Sequence, residues 1–295
     1  MKRTTCLKQL LGNGKLDFFM ESHSSVSGQV AEEAGFPGLW ASSLAMSALC
    51  SLRDANELTW DQVGDMAELM ADATKVPILL DADTGYGNFN NARRAAHKFE
   101  RRGIAGLSIE DKLFPKTNSF IRSEEQLLIE INEFCGKIKA IKDTVHDKDF
   151  CVVARLEGFI VGSPLEEVLE RAHACADAGA DALFIHSKKK TAVEIEAFMS
   201  KWGARLPIVI APTTYNHVPA ADFERMGISV VLWANHLFRA SIRAMQDVAK
   251  KVWEERSTVG VEPMIVPVAE VFRLQNDAEL KEAEDRYLKP PRLVR

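Results

Sequence analysis

The run Asp81-Ala82-Asp83-Thr84-Gly85-Tyr86-Gly87-Asn88 sets two carboxylates two residues apart, directly after the apolar Ile78-Leu79-Leu80. Residues two apart in a strand point to one face, so both acids project together if the strand continues through them. Carboxylates on one face repel unless a cation, a proton or a basic group lies between them. Oxygen ligands of this kind suit a hard divalent ion such as Mg²⁺. A polar turn whose aspartate caps the next helix explains the same residues, and the pair alone does not choose between the two.

Other reactive side chains stand at comparable points of the chain. Glu110-Asp111 follows Leu107–Ile109, Arg155 and Glu157 follow Cys151–Ala154, and His186-Ser187 follows Ala182–Ile185. Ser42-Ser43-Leu44 follows Gly38–Ala41, at a strand-to-helix turn whose backbone N–H groups can hold an anion. Trp40, just before, serves as a pocket wall or as core. Asp54, in the polar run Arg53-Asp54-Ala55-Asn56-Glu57, reaches a metal through water, takes part in catalysis, or is simply a helix N-terminal acid. Singly, Arg155 fits an ion network and His186 a hydrogen-bonded core. Gathered on one face, so many buried charges are costly without partners or a metal, and the cluster reads as a site.

The segment Glu110-Asp111-Lys112-Leu113-Phe114-Pro115-Lys116-Thr117-Asn118-Ser119 adds two lysines and an Asn-Ser pair without clear periodicity. Its donors suit phosphate or carboxylate oxygens. Its length and polarity suit a lid that closes over an anion and excludes water. A solvated loop in which lysines offset acids is the competing reading.

These residues need strands to carry them. Short apolar runs predict strands at Leu16–Met20, Gly38–Ala41, Ile78–Leu80, Leu107–Ile109, Cys151–Ala154, Ala182–Ile185, Ile208–Ala211 and Val230–Trp233. Helical spacing predicts helices at Leu7–Leu11, Val26–Ala34, around Val63, Met66, Ala67 and Met70, and at Asn90–Arg101. Further helices are predicted at Glu124–Lys142, Leu165–Ala178, Val193–Trp202, Asp222–Met226 and Leu237–Glu254. Strands alternating with helices indicate a parallel α/β sheet, and closure at eight gives a (β/α)8 TIM-type barrel. An open doubly wound sheet fits less well, because no GxGxxG follows the first strand. In a barrel the strand C-termini form the active face, where Ser42, Asp81, Asp83, Glu110, Arg155 and His186 stand. Gly35, Gly103 and Gly179 each follow a helix and precede a strand, the place for a left-handed residue.

The chain runs on past the eighth unit, with helical patterns at Val268–Leu274 and Ala278–Tyr287. We expect one barrel domain over 1–295 with a C-terminal helical segment over 237–295, whose last two helices cap the barrel or pack on a neighbouring subunit. Of the 295 residues 46% are hydrophobic, enough for a large core, and the net charge of −5 offers no footprint for nucleic acid or an anionic membrane. The five cysteines are scattered, odd in number and without a CxxC pair, against a zinc site or disulfide framework. The opening Met-Lys-Arg lacks the apolar run of a signal peptide, and nothing approaches the ~20 apolar residues of a spanning helix. The expectation is a cytoplasmic protein of a reducing compartment.

The assembled residues resemble the isocitrate lyase and phosphoenolpyruvate mutase superfamily, its mutase branch above all. The resemblance rests on Glu32-Glu33-Ala34-Gly35-Phe36, Leu80 to Asn88, Glu110 to Ser119, Val153-Ala154-Arg155 and His186-Ser187-Lys188-Lys189. It runs almost end to end, including Trp233-Ala234-Asn235-His236 and Tyr287-Leu288. It implies a barrel whose eighth helix is exchanged between subunits, in a homotetrameric dimer of dimers. It implies Mg²⁺ bound directly by Asp81, with Asp54, Asp83 and Glu110 acting mainly through water. The implied reaction interconverts phosphoenolpyruvate and phosphonopyruvate. Ser42, Ser43 and Leu44 would hold the pyruvyl group, with Lys116, Asn118, Ser119, Arg155 and His186 around the phosphoryl group. The implied equilibrium favours phosphoenolpyruvate, so a downstream enzyme would have to consume phosphonopyruvate.

Lyases of the superfamily carry a Lys-Lys-Cys-Gly-His type loop, whereas this chain reads Lys116-Thr117-Asn118-Ser119 without a cysteine. Phosphonopyruvate hydrolases are similar to the mutases but place a threonine near the position of Asn118. The asparagine favours transfer over hydrolysis, and a silent metabolite-binding barrel is the third reading. Many mutases flank the serine after the second strand with glycines, where this chain has Ala41 and Ser43. Backbone N–H donation survives that change, while pocket size and substrate scope depend on it.

Overall fold

The computed structural model describes residues 1–288. Eight parallel strands close into a barrel in sequence order. They are β1 (Asp17–Ser22), β2 (Gly38–Ala41), β3 (Ile78–Asp81), β4 (Gly106–Glu110), β5 (Cys151–Leu156), β6 (Ala182–Ile185), β7 (Ile208–Ile210) and β8 (Val230–Trp233). β1 pairs with β8, Phe19 opposite Leu232, which completes the ring. The helices in the first half are α1 (Arg3–Gly12), α2 (Ser25–Glu33), α3 (Ser43–Leu49), α4 (Trp60–Ala73), α5 (Phe89–Arg101) and α6 (Ile131–Thr144). Then follow α7 (Gly158–Val161), α8 (Leu165–Asp177), α9 (Val193–Trp202), α10 (Ala220–Met226), α11 (His236–Glu255), α12 (Val268–Leu274) and α13 (Asp277–Tyr287).

Side-chain alternation divides the apolar residues into two cores. Phe19, Trp40, Leu79, Val153, Phe184, Val209 and Leu232 fill the barrel. Leu39, Leu80, Leu107, Val152, Leu183, Ile208 and Val231 face the helices instead. One inward step beyond each filling residue, toward the strand C-terminus, the side chain turns polar. Trp40 gives way to Ser42, Leu79 to Asp81, Val153 to Arg155 and Phe184 to His186, all buried. Period-two geometry therefore places these groups in one layer above a packed apolar floor. At Gly38 a Cβ would lie 2.6 Å from the Phe19 ring, so glycine permits that close approach of β2 to β1. Gly35, Gly103 and Gly179 take φ of 97°, 81° and 96°, as helix-terminating left-handed residues.

The structure adds the short α7, which no sequence-based element covers, and departs from the predicted elements in three further places. Residues 124–130, expected within one helix to Lys142, include a single 3-10 turn at Ser123–Glu125, and α6 starts only at Ile131. Between these, Leu113 N donates to Leu127 O, Ile129 N donates to Asp111 O, and Lys112 bridges Leu128 in antiparallel sense. This stretch is the return leg of the segment after β4, and those tertiary bonds override its helical propensity. The turn at Ser42–Ser43 leads into α3, a helix not among those predicted, with the Ser42 hydroxyl accepting from Ala45 N as its cap. Strand β3 does not persist to Asp83, whose φ of 52° takes the chain out of the sheet.

The chain divides into two compact units, Met1–Phe238 and a second from Arg239 onward. Among the described residues, no helix is long and apolar enough to cross a membrane.

Candidate active site

Four acids meet on one side of the barrel mouth. Asp81, at the end of β3, accepts from Ser43 Oγ at 2.8 Å. Asp83 reaches the same region through its left-handed turn rather than through a shared strand face. Its Oδ2 accepts from Asn56 Nδ2 at 2.7 Å, and its Oδ1 lies 2.6 Å from Lys116 Nζ. Asp54 lies 2.7 Å from the same ammonium and accepts from Asn118 Nδ2 at 2.7 Å. Asp54 is not a helix-capping acid, because α4 is capped by Thr59, reciprocally with Gln62. Glu110, at the end of β4, is buried, and neither of its oxygens accepts a hydrogen bond. Lys112 and Arg155 approach them only to 3.4 Å.

Burial and charge set the protonation of this group. Burial pushes Asp83 up to about 7, against the pull of Lys116 and with repulsion from Asp81 and Asp54. Burial opposes the charge on Lys116 too, but Asp54, Asp83, Asp81 and Glu110 outweigh it and hold the ammonium well above its ordinary value. Burial likewise works against ionised Asp54, yet Lys116 and the Asn118 hydrogen bond keep it below the usual range.

The opposite wall is basic. The Arg155 guanidinium lies over the Phe184 ring, 5.0 Å from its centre. It donates from Nε to Glu157 at 2.6 Å and from Nη2 to Ser119 Oγ at 3.0 Å. His186 Nδ1 is 2.7 Å from Glu157 Oε1. Burial lowers the His186 pKa against the opposing pull of Glu157, and neighbouring Arg155 lowers it further, which favours the neutral ring.

The segment after β4 covers the space between the walls. Lys112 Nζ donates to Thr117 O at 2.8 Å and Ser119 Oγ at 3.0 Å, folding the segment on itself. Gln126 Nε2 donates to the carbonyls of Asn118 and Ile121, both at 2.8 Å. Asn56 Oδ1 accepts from Lys116 N, and Lys116 Nζ donates to Ser43 Oγ at 3.0 Å. These bonds seat the segment as a lid rather than as a solvated loop.

Most of the expected residues line one pocket: Trp40, Ser42, Leu44, Asp54, Asp81, Lys116, Asn118, Ser119, Arg155 and His186. Trp40 is wall and core at once, since it also meets Phe184 edge-on at 6.0 Å. Ser43 and Asp83 lie behind the lining, in contact with it through the bonds above, and Glu110 lies behind it within 3.4 Å of Lys112 and Arg155. Lys116 joins the acids. The pocket also takes in Lys112, one of the two lysines read as anion donors, and Phe120, Phe184, Thr213 and Asn235, which sequence reasoning did not place in the site. Phe184 was legible from alternation, two residues before His186. Asn235 lay in a segment that carried the resemblance, but no residue type there named a role.

Among the described residues, no three His, Cys, Asp or Glu side chains are arranged as a set that could hold a metal ion by themselves. The donor chemistry still fits a hard cation held mainly through water. The acids offer only oxygen, and the two Glu110 oxygens are buried without a hydrogen-bond donor. Mg²⁺ commonly takes one or two carboxylates and keeps several waters.

A closed (β/α)8 barrel with acids facing a basic, lid-covered wall at its strand C-termini defines the class of protein. The phosphoenolpyruvate phosphomutase family model matches residues 7–253, and the chain belongs to that family. It is 51% identical to the phosphoenolpyruvate phosphomutase of Tetrahymena pyriformis, over 97% of this chain and 96% of that one. The solved phosphoenolpyruvate phosphomutase of Streptomyces platensis subsp. rosaceus superposes with a TM-score of 0.94 at 40% identity, covering 97% of this chain and 99% of that one. A phosphonopyruvate hydrolase solved in complex with oxalate and Mg²⁺ superposes at 0.92 with 34% identity, covering 98% of this chain and all of that one.

Proposed function

We propose that this chain is a magnesium-dependent phosphoenolpyruvate mutase, an isomerase that moves a phosphoryl group between the enol oxygen of phosphoenolpyruvate and the methylene carbon of phosphonopyruvate. The observation that carries this reading is the lid, which brings Asn118 and Ser119 over a pocket walled by acids on one side and by Arg155 and His186 on the other. In this reading Asp81 would ligate Mg²⁺ directly, with Asp54, Asp83 and Glu110 holding its water shell. When bound, the ion supplies positive charge for the enolate oxygen.

The remaining work belongs to the chain's own groups. Ser42, Ser43 and Leu44 bind the pyruvyl end at the turn into α3, where the first N–H groups of the helix point toward an anion. Arg155, Asn118, Ser119 and His186 surround the phosphoryl group, whose loose transition state needs fixed donors rather than a covalent partner. Arg155 suits this because its planar fork keeps both charge and direction. Lys116 holds the lid down on the acid side. The P–O bond breaks and the P–C bond forms within one closed pocket, and the lid keeps out the water that would yield pyruvate and phosphate.

Hydrolysis of phosphonopyruvate is the second reading, favoured by the likeness to the solved hydrolase. Phosphorus NMR of the purified protein with Mg²⁺ and phosphonopyruvate separates the two. A growing phosphoenolpyruvate signal supports the mutase. Inorganic phosphate instead replaces it with the hydrolase, and an unchanged spectrum leaves a silent binder.

The same reading extends to a cytoplasmic homotetramer that exchanges helices of segment 237–295 between subunits, and to a downstream enzyme that draws phosphonopyruvate onward. Sedimentation velocity tests the assembly; a monomer would refute it.

A further inference from the structure

Glu157 follows β5, is fully buried and does not line the pocket, yet its carboxylate touches four groups around it. Oε1 accepts from Arg155 Nε at 2.6 Å and lies 2.7 Å from His186 Nδ1. Oε2 accepts from Ser119 Oγ at 2.5 Å and lies 3.4 Å from Lys112 Nζ. A carboxylate offers about four lone-pair directions, and here two face the pocket wall and two face the lid. Its own backbone N–H donates to Asp111 Oδ1 at 2.8 Å, which fixes where the carboxylate starts.

His186 Nδ1 has a second neighbour, Arg155 Nη2 at 3.1 Å. A guanidinium only donates and a carboxylate only accepts, so Nδ1 cannot satisfy both. The contact with Glu157 is the shorter and is charge-assisted, so Nδ1 carries the proton and donates to Glu157. This leaves Nε2 as the other ring nitrogen, and a proton it gains when an anion binds is stabilised through the ring by Glu157, as a buried aspartate does for a triad histidine.

We propose that Glu157 is a positioning residue that couples lid closure to the aim of Arg155 and His186. The inference rests on the mutase reading for its consequence in turnover, but not for its geometry. Ser119 docks on the same carboxylate that orients both basic side chains, so seating the lid and setting the basic wall are one event. The arrangement also explains why a buried acid faces a site built to take an anion: its charge is absorbed by Arg155, Lys112 and the His186 N–H.

The test compares wild type, Glu157→Gln and Ser119→Ala by hydrogen exchange over residues 112–127 and by solid-state ¹⁵N NMR of labelled histidine. His186 is assigned by its loss in His186→Gln. In wild type the signal is that of an Nδ1–H ring. Ser119→Ala speeds lid exchange by about tenfold and leaves the tautomer alone. Glu157→Gln speeds exchange to a similar degree and moves the proton to Nε2, because Arg155 is then free to donate to Nδ1. Its kcat falls by about 100-fold while KM moves less than threefold, as for a donor aimed at the transition state. An Nε2–H ring in wild type, or unchanged exchange in Ser119→Ala, overturns the proposal even if Glu157→Gln fails to fold. If the exchange and tautomer results hold but wild type forms no phosphoenolpyruvate, the coupling stands and the functional reading fails.

Discussion

Asn118 Nδ2 donates to Asp54 Oδ2 across 2.7 Å, which fastens the lid to the loop between α3 and α4. Two residues earlier in the lid, Lys116 reaches the other Asp54 oxygen. One carboxylate thus holds the lid at two points, and its neighbour Asn56 accepts from the Lys116 backbone. Closure is built from long-range polar bonds that form only when the loop before α4 is in place.

Asn118→Ala removes the donor proposed to serve the phosphoryl group while leaving Lys116 to hold the lid. The expected result is a fall in kcat of about 100- to 1000-fold, the range for losing one transition-state donor, with KM changed severalfold at most. Phosphorus NMR progress curves measure both constants. An unchanged turnover number removes Asn118 from the transfer step.

Asp81→Ala deletes the carboxylate proposed to ligate Mg²⁺ directly. Turnover is expected to vanish at any attainable Mg²⁺ concentration, and calorimetric titration is expected to show no saturable Mg²⁺ binding. The Ser43 hydroxyl loses its 2.8 Å acceptor but stays within reach of Lys116 and Asp54, so folding survives. Near-normal activity at low Mg²⁺ refutes the ligand assignment.

Lys116→Met leaves Asp54 and Asp83 buried without their shared ammonium. Removing one member of a buried ion pair costs about 3–5 kcal/mol, since the other charge stays desolvated. Part of that loss is expected to return on adding Mg²⁺, which in the proposed reading binds the same acids. Urea denaturation with and without Mg²⁺ reads both effects, and equal stability of variant and wild type without metal would show that Lys116 does not carry this role.

Much of this was legible in the sequence because apolar runs fix strands, and strand alternation fixes which residue tops each inward column. Asp81, Arg155 and His186 could be placed that way before any coordinates. Asp83 could not: it reaches the acids through a left-handed turn, which a period of two does not describe. The lid was recognised as a segment, but its return leg at 126–130 looked helical, since its pairing with residues 111–113 is a tertiary event. Lys116 read as a phosphate donor by type, whereas its contacts with Asp54 and Asp83 depend on that same closure. Glu157 stood in view beside Arg155, but one carboxylate shared by four partners is a fact of space, not of spacing.

The last prediction concerns the support behind the lid. Arg171, on α8, donates from Nε to Asp111 Oδ2 at 2.7 Å and from Nη2 to Ile129 O at 2.8 Å, joining the two ends of the lid segment. Burial pushes Asp111 up to about 6 from 3.8, although Arg171 and the Glu157 N–H pull it down. Between those values the folded protein keeps a proton that the unfolded chain has released, so this group lowers stability as pH rises through the window and adds no further slope above it. In Arg171→Leu the folded value rises further, and the decline continues to higher pH. The variant is therefore expected to lose about 3–5 kcal/mol at pH 8, where Asp111 must ionise or hold a proton against the solvent, and clearly less at pH 5, where it is protonated in both proteins. Urea denaturation at the two pH values measures the difference. Equal losses at both would mean that Arg171 acts by packing and its bond to Ile129 alone.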